Sequence, residues 1–216
     1  VYLEVGRKRV LACALDWPGW CRSGKNEELA LEALQAYIPR YSIVARQAGV
    51  AFPVTAGDVS YAVVERLPGT ATTVFGAPGE WAASDAQPLT SAEAERHAAL
   101  VRASWAVFDG VVAEAPAELR KGPRGGGRDR DKMVDHVLGA EAAYARKPGV
   151  KHRQPAIDDA VAIADLRDAI IGVLSAPSDG TPLVPKGWPA RYAARRIAWH
   201  VLDHAWEIQD RSDPAG

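Results

Sequence analysis

Apolar and polar residues follow two different rhythms along this chain. Over the first 80 residues, short apolar runs are broken by turn residues. VYLEVG alternates moderately, GRKR is a polar turn, and VLACALDWPGW is an apolar run closed by Pro18 and Gly19. That is the pattern of strands joined by tight turns. KNEELALEALQAYIPRYSIVARQAG then carries Leu29, Ala33, Ala36, Tyr37 and Ile38 at helical spacing. Asn26 or Ser23 can cap this helix, with Glu27 and Glu28 in the first turn, where the helix dipole favours negative charge. Pro39 ends or kinks it, and Gly49 stops it. Residues 50–80 return to strand character. The runs 61–66 and 71–75 flank Leu67, Pro68 and Gly69, which predicts a hairpin.

From about residue 89 the period becomes helical. LTSAEAERHAALVRASWAVFDGVVAEAP puts His97, Val101, Trp105, Phe108 and Val112 on one stripe, with Ser91 as the expected cap. A second helix begins near Asp129 or Asp131 and contains DKMVDHVLGAEAAY. A third spans IDDAVAIADLRDAIIGVLSA, and a fourth opens at about Ala190 after a Pro/Gly-rich loop. The expected architecture is therefore α+β in two parts. Residues 1–80 form a small antiparallel sheet with one helix, and residues 89–212 form an all-α four-helix bundle.

Composition narrows the class. Hydrophobic residues make up 48% and charged residues 25% of the 216, enough apolar material for a sizeable core. A formal net charge of −1 supplies no global pull toward nucleic acid or an anionic membrane. No apolar run is long enough to span a bilayer, and VYLEVGRKRV does not read as a secretory signal. Cys13 and Cys21 lack the spacing of a zinc knuckle or a CxxC motif. They read as reduced thiols of a cytoplasmic protein, with one structural disulfide as the alternative.

The chemistry concentrates in histidine. Three of the five histidines fall on two helices: His136 on one, His200 and His204 on the last. Residues four apart in a helix share a face, one turn apart. His136 continues a stripe with Met133, Ala140 and Tyr144, and His200 and His204 share theirs with Ile197 and Ile208. Two helices bringing three imidazoles together could hold a metal with open coordination positions, since bundle cores are a recurrent place for such ligand sets. Imidazole suits Zn, Ni, Fe and related divalent transition metals, so the ligands do not name the ion. A packing role for all three is the alternative. The last pair reads HVLDH, with Val201 where an HExxH protease carries its glutamate, which argues against that protease class.

These residues also carry two resemblances. A single histidine in DHVLGAE, followed much later by an HxxxH helix that closes the bundle, resembles the DinB-like superfamily of metal-binding four-helix bundles across residues 90–212. The resemblance implies a metal triad at His136, His200 and His204. It also implies a low-molecular-weight thiol, such as bacillithiol or mycothiol, activated for S-transfer or isomerisation. LDWPGWCRSGKNEELALEAL is similar to the strand, turn and helix of HicB-like proteins over the first 45 residues. HicB antitoxins carry a separate DNA-binding segment with no counterpart here, so the antitoxin function is not carried over; since fold does not fix function, a docking or oligomerisation module is the plainer expectation.

Several further residues enter as candidates. Glu207, three residues beyond His204, is the candidate catalytic group, to orient a ligand or relay protons, and Asp203 and Glu141 are weaker ones. In RKGPRGGGRDRDK, Arg124 and Arg128 are candidates for holding the anionic group of a thiol or substrate at a helix N-terminus. The bland reading of that loop is a solvated segment balanced by Asp129 and Asp131. It is not a P-loop, and it lacks the aromatic residues of a single-strand nucleic-acid binder. Two functions follow. The first is a metal-dependent thiol transferase or isomerase with a small-molecule substrate. The second is a non-catalytic metal- or ligand-binding module that docks a partner through its N-terminal part. The reading admits a homo-oligomer and expects neither a membrane nor nucleic acid as partner.

Overall fold

The structure, a computed structural model, describes residues 1–53, 57, 59–122 and 127–212. In chain order the elements are β1 (Tyr2–Val5), β2 (Val10–Cys13), β3 (Cys21–Gly24), α1 (Glu27–Ala36), α2 (Ile38–Gln47), β4 (Glu65–Pro68), α3 (Ala71–Val74), a 3-10 turn (Ala83–Ala86), α4 (Ser91–Glu114), α5 (Arg130–Ala145), α6 (Ala160–Leu174) and α7 (Ala190–Ser212). The fold is mixed α+β, as the two rhythms of the sequence indicate.

The strands form one sheet in the order β3-β2-β1-β4. β2 pairs antiparallel with both β1 and β3. β4, however, runs parallel to β1, with Tyr2 opposite Glu65 and Val5 opposite Pro68. The sheet is therefore mixed rather than antiparallel, and the hairpin expected over residues 61–75 does not form. Its second run is the single turn α3, which Thr70 and Thr73 close as a reciprocal capping box. The segments leaving the parallel strands β1 and β4 meet at close quarters: a Cβ on Gly69 would lie 2.7 Å from the Gly6 nitrogen. Pro68 can sit in a strand here because β4 is an edge.

The single helix expected before residue 50 is two. α1 ends at Tyr37, and α2 starts at Ile38 with Pro39 in its first turn, where the missing N–H costs nothing. The Pro18-Gly19 turn forms as read: the Trp20 N–H donates to the Trp17 carbonyl (3.0 Å) and Gly19 takes φ +93°.

Both faces of the sheet are covered, which is why VLAC reads as an unbroken apolar run rather than an alternating one. Leu3, Val10 and Ala12 pack with Ala30, Leu34, Ile38, Tyr41 and Val44 of α1 and α2. Leu202 and Trp206 of α7 and Ala103 of α4 join that cluster. Tyr2, Leu11, Cys13 and Cys21 face the other way, onto Ala82 and Trp199 of α7. Cys13 and Cys21 are opposite one another across β2 and β3, buried and unbridged, with sulfurs 2.7 Å apart. The four long helices, α4 to α7, surround a larger core that includes Val101, Phe108, Met133, Val137, Leu166, Ile170, Ile197 and Val201. Among the described residues no helix is long and apolar enough to cross a membrane.

Helix boundaries agree closely with the periodicity. Thr90 caps α4, one residue before the expected Ser91, in a capping box with Glu93. Asp159 caps α6.

Candidate metal centre

α5 and α7 pack together, and their facing stripes bring His136, His200 and His204 to one place. The ring centroids lie 5.1 Å (His136–His200), 4.9 Å (His136–His204) and 4.6 Å (His200–His204) apart. One ligand nitrogen from each ring lies within 4.8 Å of the other two, close enough to hold a metal ion. His200 is buried, and His136 and His204 are partly exposed.

Burial sets the protonation. Loss of solvent first, then the neighbouring His204, holds the His136 imidazole below its ordinary pKa. The same causes, with Arg196 added, push His200 well below it. Both rings are therefore neutral at pH 7, the form in which imidazole offers a lone pair to a metal. Nδ1 of His200 is buried and has no hydrogen-bond partner among the described residues. A buried, unpartnered ring nitrogen is costly in an ordinary core, and His97 on α4 carries another.

Glu207 supplies the other half of a ligand arrangement. Its Oε2 lies 3.1 Å from Nδ1 of His204, and its Oε1 accepts from Arg211 at 2.9 Å. The bond to His204 above all, and then the bond to Arg211, keep its carboxyl below the ordinary range. A carboxylate on the far nitrogen fixes the ring orientation and tautomer and leaves Nε2 for a metal. Glu207 thus contacts His204 directly.

The other candidates separate. Asp203 pairs with Arg22 of β3 at 2.8 Å. Glu141 is buried on the α4 and α6 side of α5, 3.4 Å from Arg167, which also holds Asp109. Neither acid belongs to the triad. His97 lies buried on α4 among Arg96, Arg191 and Arg195 and takes no part. Arg124 lies outside the described residues. Arg128 is exposed just before α5, and its charge is felt at His136 and His200. Asp129 accepts from Lys121 and from the Leu119 N–H, the balancing role expected of it.

Tyr144, on the stripe of His136, was legible as a pocket residue, and so was Trp199, but Trp188 and Arg196 beside them were not. Tyr144 stands edge-on to His200, with centroids 5.4 Å apart, and Trp188 packs on Tyr144 at 5.5 Å. Arg196 donates to the Tyr144 hydroxyl at 2.8 Å and lies over both the Tyr144 and Trp199 rings. The signal was present as spacing, since Arg196 is four residues before His200, but an arginine on a helix is ordinarily a solvated residue.

No family model, curated protein or solved structure matches this chain. The DinB-like and HicB-like resemblances therefore rest on the residues quoted for them, and function is argued from the site.

Proposed function

We propose that the chain binds a divalent transition metal through His136, His200 and His204 and uses it to activate a small ligand. The observation that carries this reading is the convergence of three imidazoles from two helices, two of them kept neutral by burial and the third oriented by a carboxylate. Three neutral ligands leave the full charge of a bound ion in place, so it would acidify a water or thiol in an open position. Zn, Ni and Fe all suit the donor set. The DinB-like pattern of DHVLGAE and HVLDH points to a low-molecular-weight thiol as the activated group, for transfer or isomerisation.

The chain's own residues have defined parts in this scheme. His200 and His136 stay unprotonated at neutral pH and do not compete for the proton a thiol loses. Glu207 holds His204 by Nδ1 and is itself held by Arg211, so the ring keeps one orientation. Tyr144, Trp188 and Trp199 form an aromatic wall beside His200, which limits the water near the reacting groups.

Metal analysis of the purified protein tests the reading. About one ion per chain is expected after loading with Zn(II) or Co(II), and His200→Ala should retain little. A wild type that takes up no stoichiometric metal at neutral pH, even after reloading, sinks it and leaves the histidines as packing residues. Screening the loaded protein with thiols and electrophiles, with His200→Ala as control, then separates an enzyme from a binding module.

A further inference from the structure

Two successive arginines of α7 are equally buried, each at 6% exposure. Arg195 is neutralised: its Nη1 and Nη2 donate to the two oxygens of buried Asp85, both at 2.5 Å. Arg167 and Arg191, both largely buried, are likewise paired with carboxylates. Arg196 is different. Its Nη2 donates to the Tyr144 hydroxyl, a neutral acceptor. Its guanidinium lies over two rings, 4.7 Å from the Tyr144 centroid and 4.6 Å from that of Trp199. Its Nη1 is buried without a hydrogen-bond partner, and no carboxylate pairs with it among the described residues.

A guanidinium cannot shed its proton to escape burial. Ring faces offset part of its charge, and a buried water would satisfy a hydrogen bond but not the charge. An anion does both. The position says where that anion belongs. Arg196 is one helical turn from His200 on the same face of α7. The Tyr144 that it holds stands edge-on to His200. The residues that carry the unpartnered Nη1 of Arg196 and the unpartnered Nδ1 of His200 thus sit one turn apart on α7.

We propose that Arg196 anchors an oxyanion of the ligand that binds at the three-histidine site. The ligand is then a small molecule carrying a carboxylate or phosphate beside the group that reaches the metal. This rests on the metal reading above and adds the class of molecule to it. Held near two aromatic rings and tied to a phenol, the guanidinium is pre-oriented, so little side-chain freedom is lost on binding.

Calorimetric titration tests it, using the full chain with and without Zn(II), and metal content measured first. The probes are succinate, inorganic phosphate and, as the uncharged control, succinamide, at constant ionic strength. Wild type should bind one or both anions saturably and not succinamide, and the stronger of the two names the oxyanion. Arg196→Gln should weaken binding at least tenfold while keeping about one ion per chain, and Arg196→Lys should fall between. In Co(II)-loaded protein, the anion should shift the visible spectrum of wild type more than that of Arg196→Gln. Equal affinity in wild type and Arg196→Gln overturns the anchor and leaves the metal reading standing. Arg196-dependent binding in a wild type that takes up no metal overturns the metal reading and keeps the anchor. Should Arg196→Gln fail to fold, the wild type decides alone: its melting temperature should rise with the anion and not with succinamide, and no rise overturns the proposal.

Discussion

His97 shows what burial does to a histidine that no metal awaits. It is 2% exposed on α4, and its Nδ1 has no hydrogen-bond partner among the described residues. Loss of solvent, then the charges of Arg191, Arg96 and Arg195, lowers its pKa from 6.5 to about 4. The folded-state value is below the unfolded one, so protonation favours unfolding. The stability at stake is intact above pH 6.5 and is lost as pH falls toward 4. The span corresponds to about 3 kcal/mol. His97→Leu should remove this dependence. Denaturant titrations of both proteins at pH 7 and pH 4 should show their stability difference change by about 3 kcal/mol in favour of the variant. A difference that does not move with pH would show that His97 is charged or solvated in the native state. His200 is buried by the same physics, but its neighbours are two more imidazoles on a shared face.

Elements in this fold are fixed by close approaches as much as by propensity. Gly24 ends β3 directly under α1: a Cβ there would lie 2.3 Å from the Ala30 nitrogen and 2.4 Å from the Leu29 carbonyl carbon. Both are backbone atoms of a helix and cannot swing aside. Gly24→Ala should therefore cost about 3 kcal/mol as overpacking, read as a lower denaturation midpoint. A midpoint within error of wild type would mean that α1 rides free of β3. The long helices were legible because each keeps an apolar stripe over several turns, and α4 and α6 also start at side-chain caps. β4 and α3 were not. A four-residue strand paired in parallel with the first strand leaves no local signature, because its partner lies far off in sequence. TATTV is rich in β-branched residues, yet the Thr70–Thr73 capping box and the Gly69 approach to Gly6 turn it into one helical turn. Glu4, in a strand, is buried because that segment covers it, with Gly79 and Glu80 N–H groups and the Thr73 hydroxyl donating to its carboxylate.

At the scale of the whole molecule, α7 is the shared member. Trp199 and Trp206 pack on opposite faces of the sheet unit, Ile197 and Val201 enter the helical core, and His200 and His204 face α5. The Asp85–Arg195 pair ties α7 to the 3-10 turn that precedes α4, and Asp85 also accepts from the Ala82 N–H. Removing one partner strands a buried charge. Asp85→Ala alone should cost about 3–5 kcal/mol, and Asp85→Ala with Arg195→Met should recover much of that loss. Chemical denaturation of both singles and the double closes the cycle. Strictly additive losses would show that the pair is not coupled.

The HVLDH spacing is local, so the sequence alone put His200 and His204 on one face, because four residues is about one turn. It determined the four long helices, the Pro18-Gly19 turn and the mixed α+β class for the same reason: each is written in adjacent residues. Only the tertiary structure decided that His136 meets the other two, since that depends on how α5 packs against α7. It alone decided that Glu141 and Asp203 serve ion pairs and that Glu207 serves His204. It alone left Arg196 buried with no carboxylate paired to it among the described residues. Whether a charged side chain is solvated, paired or waiting for a ligand depends on what the fold brings to it, and no stretch of the chain contains that information.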